Sequence, residues 1–224
     1  MSKNKLTITQ AAKTADIYIY GDLYPYDWDG DVSAQSIVDQ IKDLDVDVIN
    51  VHIDSYGGSV SEGWAIYSAL VAHKAKVVTY GDGFVASAAL FPFLAGDQRI
   101  ASTLSGYYFH QVMSGAYGYA NDLRKAAEEA EKLTDIGIQA FVERAGMDEA
   151  LVRKLMSEET WVSPQEAKDY GLATSILEPK TDPNASQSAK RAIFARLASA
   201  KPAPSDPTTE PVTIMQTLAK SLEQ

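Results

Sequence analysis

The sequence predicts an α/β domain in which parallel strands alternate with crossover helices. Three short stretches rich in β-branched and aromatic residues begin near Asp16, Val46 and Lys76, and a segment with apolar residues at helical spacing follows each of them. Such alternation is typical of stacked β-α-β units around a parallel sheet. A chain of 224 residues with 46% hydrophobic side chains is long and apolar enough for one domain with a sizeable core.

The three units follow one another along the chain. A strand over residues 16–21 ends at a glycine, and the helix that follows over 33–44 carries Ile37, Val38, Ile41 and Leu44 on one face. A second strand over 46–54 is broken by Gly57 and Gly58, and residues 62–73 form the next helix. A third strand covers 76–81, and Ser87 begins the helix after it.

Residues 118–145 predict one long amphipathic helix. A single stripe carries its apolar and small residues, namely Leu123, Ala127, Ala130, Thr134, Ile138 and Phe141. Two interpretations remain open at this point, a helix packed in the core and a helix that contacts another subunit. Further on, Ser163 and Glu166 have the spacing of a capping box with Pro164 at the first helical position, and Gly171 ends that helix.

Both ends of the chain differ from the middle. Residues 1–15 form an N-terminal segment that we expect to be flexible, and the domain itself is predicted over 16–178. Residues 179–224 contain six of the nine prolines, interrupted by two short amphipathic pieces, so they predict a linker with short helices. Disorder in isolation is the expected state of this segment.

Composition excludes several classes of function. The absence of cysteine removes disulfides, thiolate metal sites and a cysteine nucleophile, and we expect neither a metal nor another cofactor. A net charge of −10 without a run of basic residues argues against nucleic-acid binding. No segment has the length and apolarity of a membrane span or a signal peptide, so a cytoplasmic location is expected.

Ser87 is the most informative residue, because a small-residue junction between strand and helix can present its hydroxyl. A lone serine there more often caps a helix, so the neighbouring chemistry decides. A serine nucleophile needs a base. Of the three histidines, His52 lies in an apolar strand and His73 near a helix C-terminus, where a positive charge is favourable in itself, which leaves His110.

Four ordered blocks then identify a resemblance: Val51 to Gly58, Gly83 to Ala89, Tyr108 to Gln111, and Thr160 to Leu172. They resemble the Clp protease proteolytic subunit (ClpP) family, and most closely its bacteriophage members that act as head maturation proteases. The resemblance covers roughly Asp16 to Leu177. It implies the α/β fold of ClpP/crotonase-like stacked βαβ units with a protruding handle helix, which would be the helix over 118–145.

The resemblance also implies a site. Ser87 would be the nucleophile, His110 the base and Glu159 the acid, although the family has aspartate there and Glu158, a water or a main-chain group could serve instead. Main-chain N–H groups of Gly58 and Ala88 would form the oxyanion hole. The substrate would lie as an added strand beside residues that include Ser59, Val60, Gln111, Val112 and Met113. One departure is Tyr56, which replaces the proline usual before Gly57.

The function that follows is a serine endopeptidase, ATP-independent or assisted by an ATPase, that cleaves a polypeptide such as a capsid or scaffold protein during phage prohead maturation in the host cytoplasm. A homo-oligomer, either a heptameric ring or stacked rings, is expected. Two alternatives remain: a crotonase-type hydratase or isomerase, which shares the architecture, and a catalytically silent capsid assembly protein.

Overall fold

The computed structural model describes residues 6–9, 13–26 and 31–177 of the chain, and it confirms the α/β class. The predicted C-terminal segment, 179–224, lies outside these residues. The sequence predicts the start of the domain at residue 16. Strand β1 (Leu6–Thr9) pairs antiparallel with β2 (Thr14–Tyr20), which begins two residues before that boundary.

The middle of the sheet is built as predicted from parallel strands with crossover helices. Helix α1 (Ala34–Ile41) joins β2 to β3 (Val48–Ser55), and α2 (Val60–Ala72) joins β3 to β4 (Lys76–Ala86). β2 and β3 pair in parallel, as do β3 and β4. Their register places Tyr18 beside His52 and His52 beside Tyr80. Burial alternates along both strands, and the buried positions carry mainly isoleucine and valine, so one face of the sheet packs on the core more fully than the other.

Strand β4 is longer than predicted and divides the sheet. Its first part, Val78–Gly81, pairs with β5 (Gln98–Ala101), and its last part, Phe84–Ala86, pairs with β6 (Gly106–Tyr108). The sheet is completed by β7 (Trp161–Val162), antiparallel to β6, and by β8 (Ser175–Ile176), parallel to β5. This division forms a fork in the sheet: the last part of β4 leaves β5 and pairs instead with β6, the strand that precedes His110.

The remaining helices pack against this frame. A single 3₁₀ turn (Ser87–Ala89) leads into α3 (Leu90–Leu94), whose five residues are all buried. Helix α5 (Glu149–Ser157) begins at the N-cap Asp148, and α6 (Pro164–Asp169) begins with the predicted capping box, in which Ser163 and Glu166 bond each other's main chain. Ser163 hydrogen bonds hold the pKa of the Glu166 carboxyl below its ordinary value.

Helix α4 (Ala120–Ala145) corresponds to the long helix of the sequence, and only its second half is covered by this subunit. Its buried residues are Thr134, Gly137, Ile138 and Phe141. Leu123 and Ala127, from the first half of the predicted stripe, are exposed, and Ala130 is partly exposed. The helix therefore projects beyond the domain, as expected of a handle, with the small and apolar residues of its first half exposed.

Candidate active site

Ser87 stands at a strained junction between β4 and the 3₁₀ turn. Its φ is +55°, a left-handed conformation that costs a residue with a side chain about 1–2 kcal/mol. Only three non-glycine residues of the described part have a positive φ, and Ser87 is flanked by the buried Ala86 and Ala88. The Ser87 side chain remains partly accessible beside these small neighbours. Strain of this kind is typical of functional sites.

His110 contacts Ser87 directly. The Nε2 atom of His110 lies 2.7 Å from the Oγ atom of Ser87, a hydrogen-bond distance, and both residues are partly buried. His110 follows β6 and Phe109, and Phe109 is fixed by two main-chain hydrogen bonds with Thr160. Because β6 pairs with the end of β4, the fork in the sheet brings together two residues 23 positions apart.

The other ring nitrogen of His110 fixes its tautomer. Nδ1 lies 2.6 Å from the main-chain carbonyl oxygen of Gln111. A carbonyl oxygen only accepts, so Nδ1 carries the proton in this bond and donates it. In the neutral ring, Nε2 is then unprotonated and accepts the hydrogen bond from the Ser87 hydroxyl. This is the arrangement that a general base needs in order to take the proton of Ser87.

The Gly57–Gly58 turn packs tightly on the same junction. A Cβ atom on Gly57 would lie 2.5 Å from the carbonyl oxygen of Ala86 and 2.8 Å from the main-chain nitrogen of Ala88. A Cβ atom on Gly58 would meet the main chain of Leu23, and the two glycines have φ values of +95° and +133°. Only glycine fits at these positions. The absence of a side chain at Gly57 lets the turn pack directly against the main chain of Ala88.

A cavity of about 690 Å³ opens in front of Ser87. Its lining includes all seven residues expected for the oxyanion hole and substrate, namely Gly58, Ser59, Val60, Ala88, Gln111, Val112 and Met113. The lining is largely apolar, and none of its described residues is Asp, Glu, Lys or Arg. The cavity therefore suits an uncharged, apolar group next to the Ser87 hydroxyl.

An aromatic rim that the sequence did not single out borders this cavity. Trp161 packs on Tyr108 with ring centroids 4.8 Å apart. The ring of Phe84 contacts Trp161 on one side and Tyr56 on the other. Tyr56, Tyr108 and Trp161 all line the cavity. The one signal in the sequence was Tyr56 itself, in place of a proline before the two glycines.

Glu159 does not contact His110. Its side chain is exposed, and no hydrogen bond or ion pair joins the two residues in the described part of the chain. Its φ is +50°, so it shares with Ser87 the left-handed conformation. Glu158 is exposed as well and ends α5. The sequence analysis allowed a carboxylate, a water or a main-chain group to bond His110. In the structure the partner of Nδ1 is a main-chain group, the carbonyl of Gln111.

The other two histidines have separate environments. His52 is stacked between the rings of Tyr18 and Tyr80, with centroids 4.8 and 4.6 Å away, and its Nδ1 lies 2.7 Å from Asp82. Asp82 also accepts a hydrogen bond from Tyr20, and burial together with this bond raises the pKa of the Tyr20 hydroxyl. His73 ends α2 and accepts the N–H of Ala75. Neither histidine contacts Ser87.

No group of three or more His, Asp or Glu side chains in residues 6–9, 13–26 and 31–177 is arranged to hold a metal ion. None of the helices in that same part combines the length and apolarity needed to cross a membrane.

Comparison with known proteins gives consistent matches. A family model described as Clp protease matches residues 5–180. A curated relative, the ATP-dependent Clp protease proteolytic subunit 2 of Treponema denticola, is 35% identical over 136 residues, which cover 60% of this chain and 68% of the relative. Subunit 3 of Rhizobium etli is 29% identical over 184 residues, or 80% of this chain and 91% of that protein.

A solved structure supports the architecture. A ClpP1 mutant from Listeria monocytogenes superposes with a TM-score of 0.63 at 26% identity, covering 74% of this chain and 92% of that one. The likeness therefore extends over nearly the whole of the solved chain. The predicted stacked βαβ fold is confirmed.

Proposed function

The chain belongs to the Clp protease family, and from that membership we propose that it is a serine endopeptidase with Ser87 as its nucleophile. The observation that carries the proposal is the 2.7 Å contact between Ser87 Oγ and His110 Nε2 at the floor of an apolar cavity. The strained φ of Ser87 adds support, because strain is kept where chemistry requires a fixed geometry.

The proposed reaction follows from these atoms. Ser87 Oγ attacks the peptide carbonyl carbon while its proton passes to His110 Nε2. The carbonyl oxygen becomes an oxyanion and accepts hydrogen bonds from the N–H groups of Gly58 and Ala88. His110 then gives the proton to the leaving amine nitrogen, and the C–N bond breaks. Water, deprotonated by His110, then attacks the acyl carbon, and His110 returns the proton to Ser87 Oγ as the acyl–Oγ bond breaks and the acid product leaves.

Glu159 is proposed as the third member through its charge rather than through a hydrogen bond. When His110 accepts the proton of Ser87, the ring becomes positive, and a nearby carboxylate stabilises that charge. The support is its position in the chain next to Thr160, whose main chain pairs with Phe109, the residue before His110.

The substrate is proposed to add as a strand beside Ser59 and Val60 on one side and Gln111 to Met113 on the other. Strand addition uses main-chain hydrogen bonds and so accepts many sequences, while the cavity selects one side chain. All five residues line the cavity, which supports this placement.

For the assembly we propose a homo-oligomeric ring, with α4 as the contact between opposed rings. The support is the set of exposed apolar side chains on α4, with Leu123 46% and Ile136 55% exposed. We further propose that the natural substrate is a capsid or scaffold protein of a phage prohead, processed in the host cytoplasm, because the sequence blocks resemble the phage members of the family. The curated relatives are named as ATP-dependent subunits, and an ATPase partner is the alternative that the experiment below separates.

The test uses a fluorophosphonate probe and the co-encoded capsid protein. Wild-type protein should be labelled at Ser87 and should cleave the capsid protein without ATP, and Ser87→Ala should do neither. Ser36→Ala, at a partly exposed position of α1, is the matched control. Loss of a triad member costs about 10⁴ to 10⁶ in rate in serine proteases. A protein that folds but is not labelled would favour a crotonase-type enzyme or a silent assembly protein, and cleavage only with ATP and an unfoldase would favour the ATPase-assisted form.

A further inference from the structure

Thr134, on the first buried turn of α4, touches neither Ser87 nor His110, yet it is connected to both. It is only 7% exposed, and its Oγ1 accepts the N–H of Val112 at 3.0 Å. The same Oγ1 donates to the carbonyl oxygen of Ala130 at 2.9 Å. A hydroxyl has one proton, so the bond to Ala130 directs the lone pairs of Oγ1 towards the N–H of Val112.

The N–H of Val112 and the carbonyl of Gln111 belong to one peptide group. That group is planar, and its N–H and C=O point in opposite directions. Holding the N–H against Thr134 therefore directs the carbonyl oxygen away from α4. The atom at the other end of the group is Nδ1 of His110, 2.6 Å from that oxygen. One hydroxyl on the handle helix thus orients the acceptor of the histidine through a rigid plane.

From this geometry we infer that Thr134 is a positioning residue that keeps His110 in the tautomer able to activate Ser87. Without the hydroxyl the Gln111–Val112 peptide can rotate, and the N–H of Val112 loses its partner in a partly buried place. The bond from Nδ1 of His110 is then lost, and the proton can move to Nε2. A ring protonated at Nε2 cannot accept the proton of Ser87. The inference rests on the proposed function, since it assigns His110 as the base.

The experiment compares Thr134→Val with Thr134→Ser. Valine has nearly the shape of threonine but cannot accept the N–H of Val112, whereas serine keeps the hydroxyl. We expect Thr134→Val to lower kcat and the rate of fluorophosphonate labelling by about tenfold to hundredfold, the size of effect that misplaced catalytic groups produce. KM should change less than kcat, because the contacts of Ser59, Val60 and the rest of the cavity with the substrate remain. Thr134→Ser should restore most of the rate.

Thr174→Val is the matched control. The Thr174 hydroxyl also accepts a main-chain N–H, that of Arg99 at 2.9 Å, and donates to a carbonyl, but it lies on the β5–β8 side of the sheet. Its loss carries the same kind of stability cost without reaching His110. If Thr174→Val lowers the labelling rate as much as Thr134→Val, the effect is general destabilisation and the inference is wrong.

A spectroscopic readout separates this inference from the proposed function. In full-length protein labelled with ¹⁵N-histidine, the ring of His110 should be protonated at Nδ1 in the wild type and Thr134→Ser, and should show mixed tautomers in Thr134→Val. This holds whether or not the protein cleaves peptides, so inactive wild-type protein would reject the function alone. Unchanged His110 ring shifts in Thr134→Val, or fast amide exchange at Val112 in the wild type, would overturn the positioning role.

Discussion

Phe109 and Thr160 exchange two main-chain hydrogen bonds, of 3.0 and 3.1 Å, and so continue the antiparallel pairing of β6 with β7 by one residue. Extended by one more position, a regular ladder would set Glu159 opposite His110. The left-handed φ of Glu159 turns the chain at this point, and the carboxylate is exposed rather than bonded to the ring.

Glu159→Gln should lower kcat/KM by about tenfold. A charge that acts across partly screened solvent contributes about 1–2 kcal/mol, and about 1.4 kcal/mol corresponds to tenfold in rate. Glu158→Gln is the matched control, because it removes an equal charge one residue away, outside the register with His110. Steady-state kinetics on a fluorogenic peptide measures both. Equal, small effects of the two variants would place the third group elsewhere.

The cavity predicts which peptide bonds are cleaved. Since no charged side chain lines it among the described residues, a substrate with Asp or Lys at the residue whose carbonyl is attacked would bury an unpaired charge. We expect leucine, methionine or phenylalanine there to give kcat/KM values about a hundredfold higher than aspartate or lysine. A peptide library read by mass spectrometry measures the preference. Frequent cleavage after charged residues would contradict the uncharged cavity.

Gly57→Ala should destabilise the fold and stop labelling of Ser87. The added Cβ would lie 2.7 Å from the Cβ of Ser87, and the φ of +95° strains any side chain. We expect a loss of about 2–3 kcal/mol in the free energy of unfolding. Gly146→Ala is the control, because its φ is also positive, +67°, but nothing lies within 4 Å of the new atom. Denaturant unfolding curves compare them, and equal losses would mean that φ strain alone, not the clash with Ser87, sets the cost.

Replacing Ala127 and Ala130 by glutamate should break the assembly while leaving the subunit folded. Both residues are at least partly exposed in the subunit, so the charges meet water there, whereas in a close helix contact between rings they would be buried unpaired at a cost of several kcal/mol. Sedimentation velocity should show single rings or smaller species. Lys132→Glu, on the opposite face of α4, is the control. An unchanged large species in the double variant would exclude this stripe from the interface.

The alternation of strands and helices was predictable because each apolar period is local. The length of β4 was not, since the third strand was predicted only as far as residue 81, near two glycines, Gly81 and Gly83. In the structure these glycines continue the strand because tertiary neighbours need their space: a Cβ on Gly81 would meet the hydroxyl of Tyr107, and one on Gly83 would lie 2.5 Å from the carboxylate of Asp54. The sequence alone does not distinguish a glycine that ends a strand from a glycine that leaves space for a neighbouring side chain.

The candidate site divides in the same way. The motifs that suggested Ser87 and His110 are short, and the structure brings the two side chains to 2.7 Å, though their roles remain proposals. The hydrogen bond between Thr134 and Val112 leaves no pattern in the sequence, because it joins a side chain to a main-chain group 22 residues away and any residue at 112 except proline has that N–H.

The left-handed backbone at Ser87 also bears on how this chain can change over generations. Glycine would adopt a φ of +55° without steric penalty, so the backbone conformation at position 87 is less favourable for serine than for glycine. If a related protein no longer needed a nucleophile, its stability would not favour serine at this position. Glycine at the position equivalent to Ser87 would therefore be a sign that catalytic activity has been lost. The serine that stands there now is one that stability alone would not select.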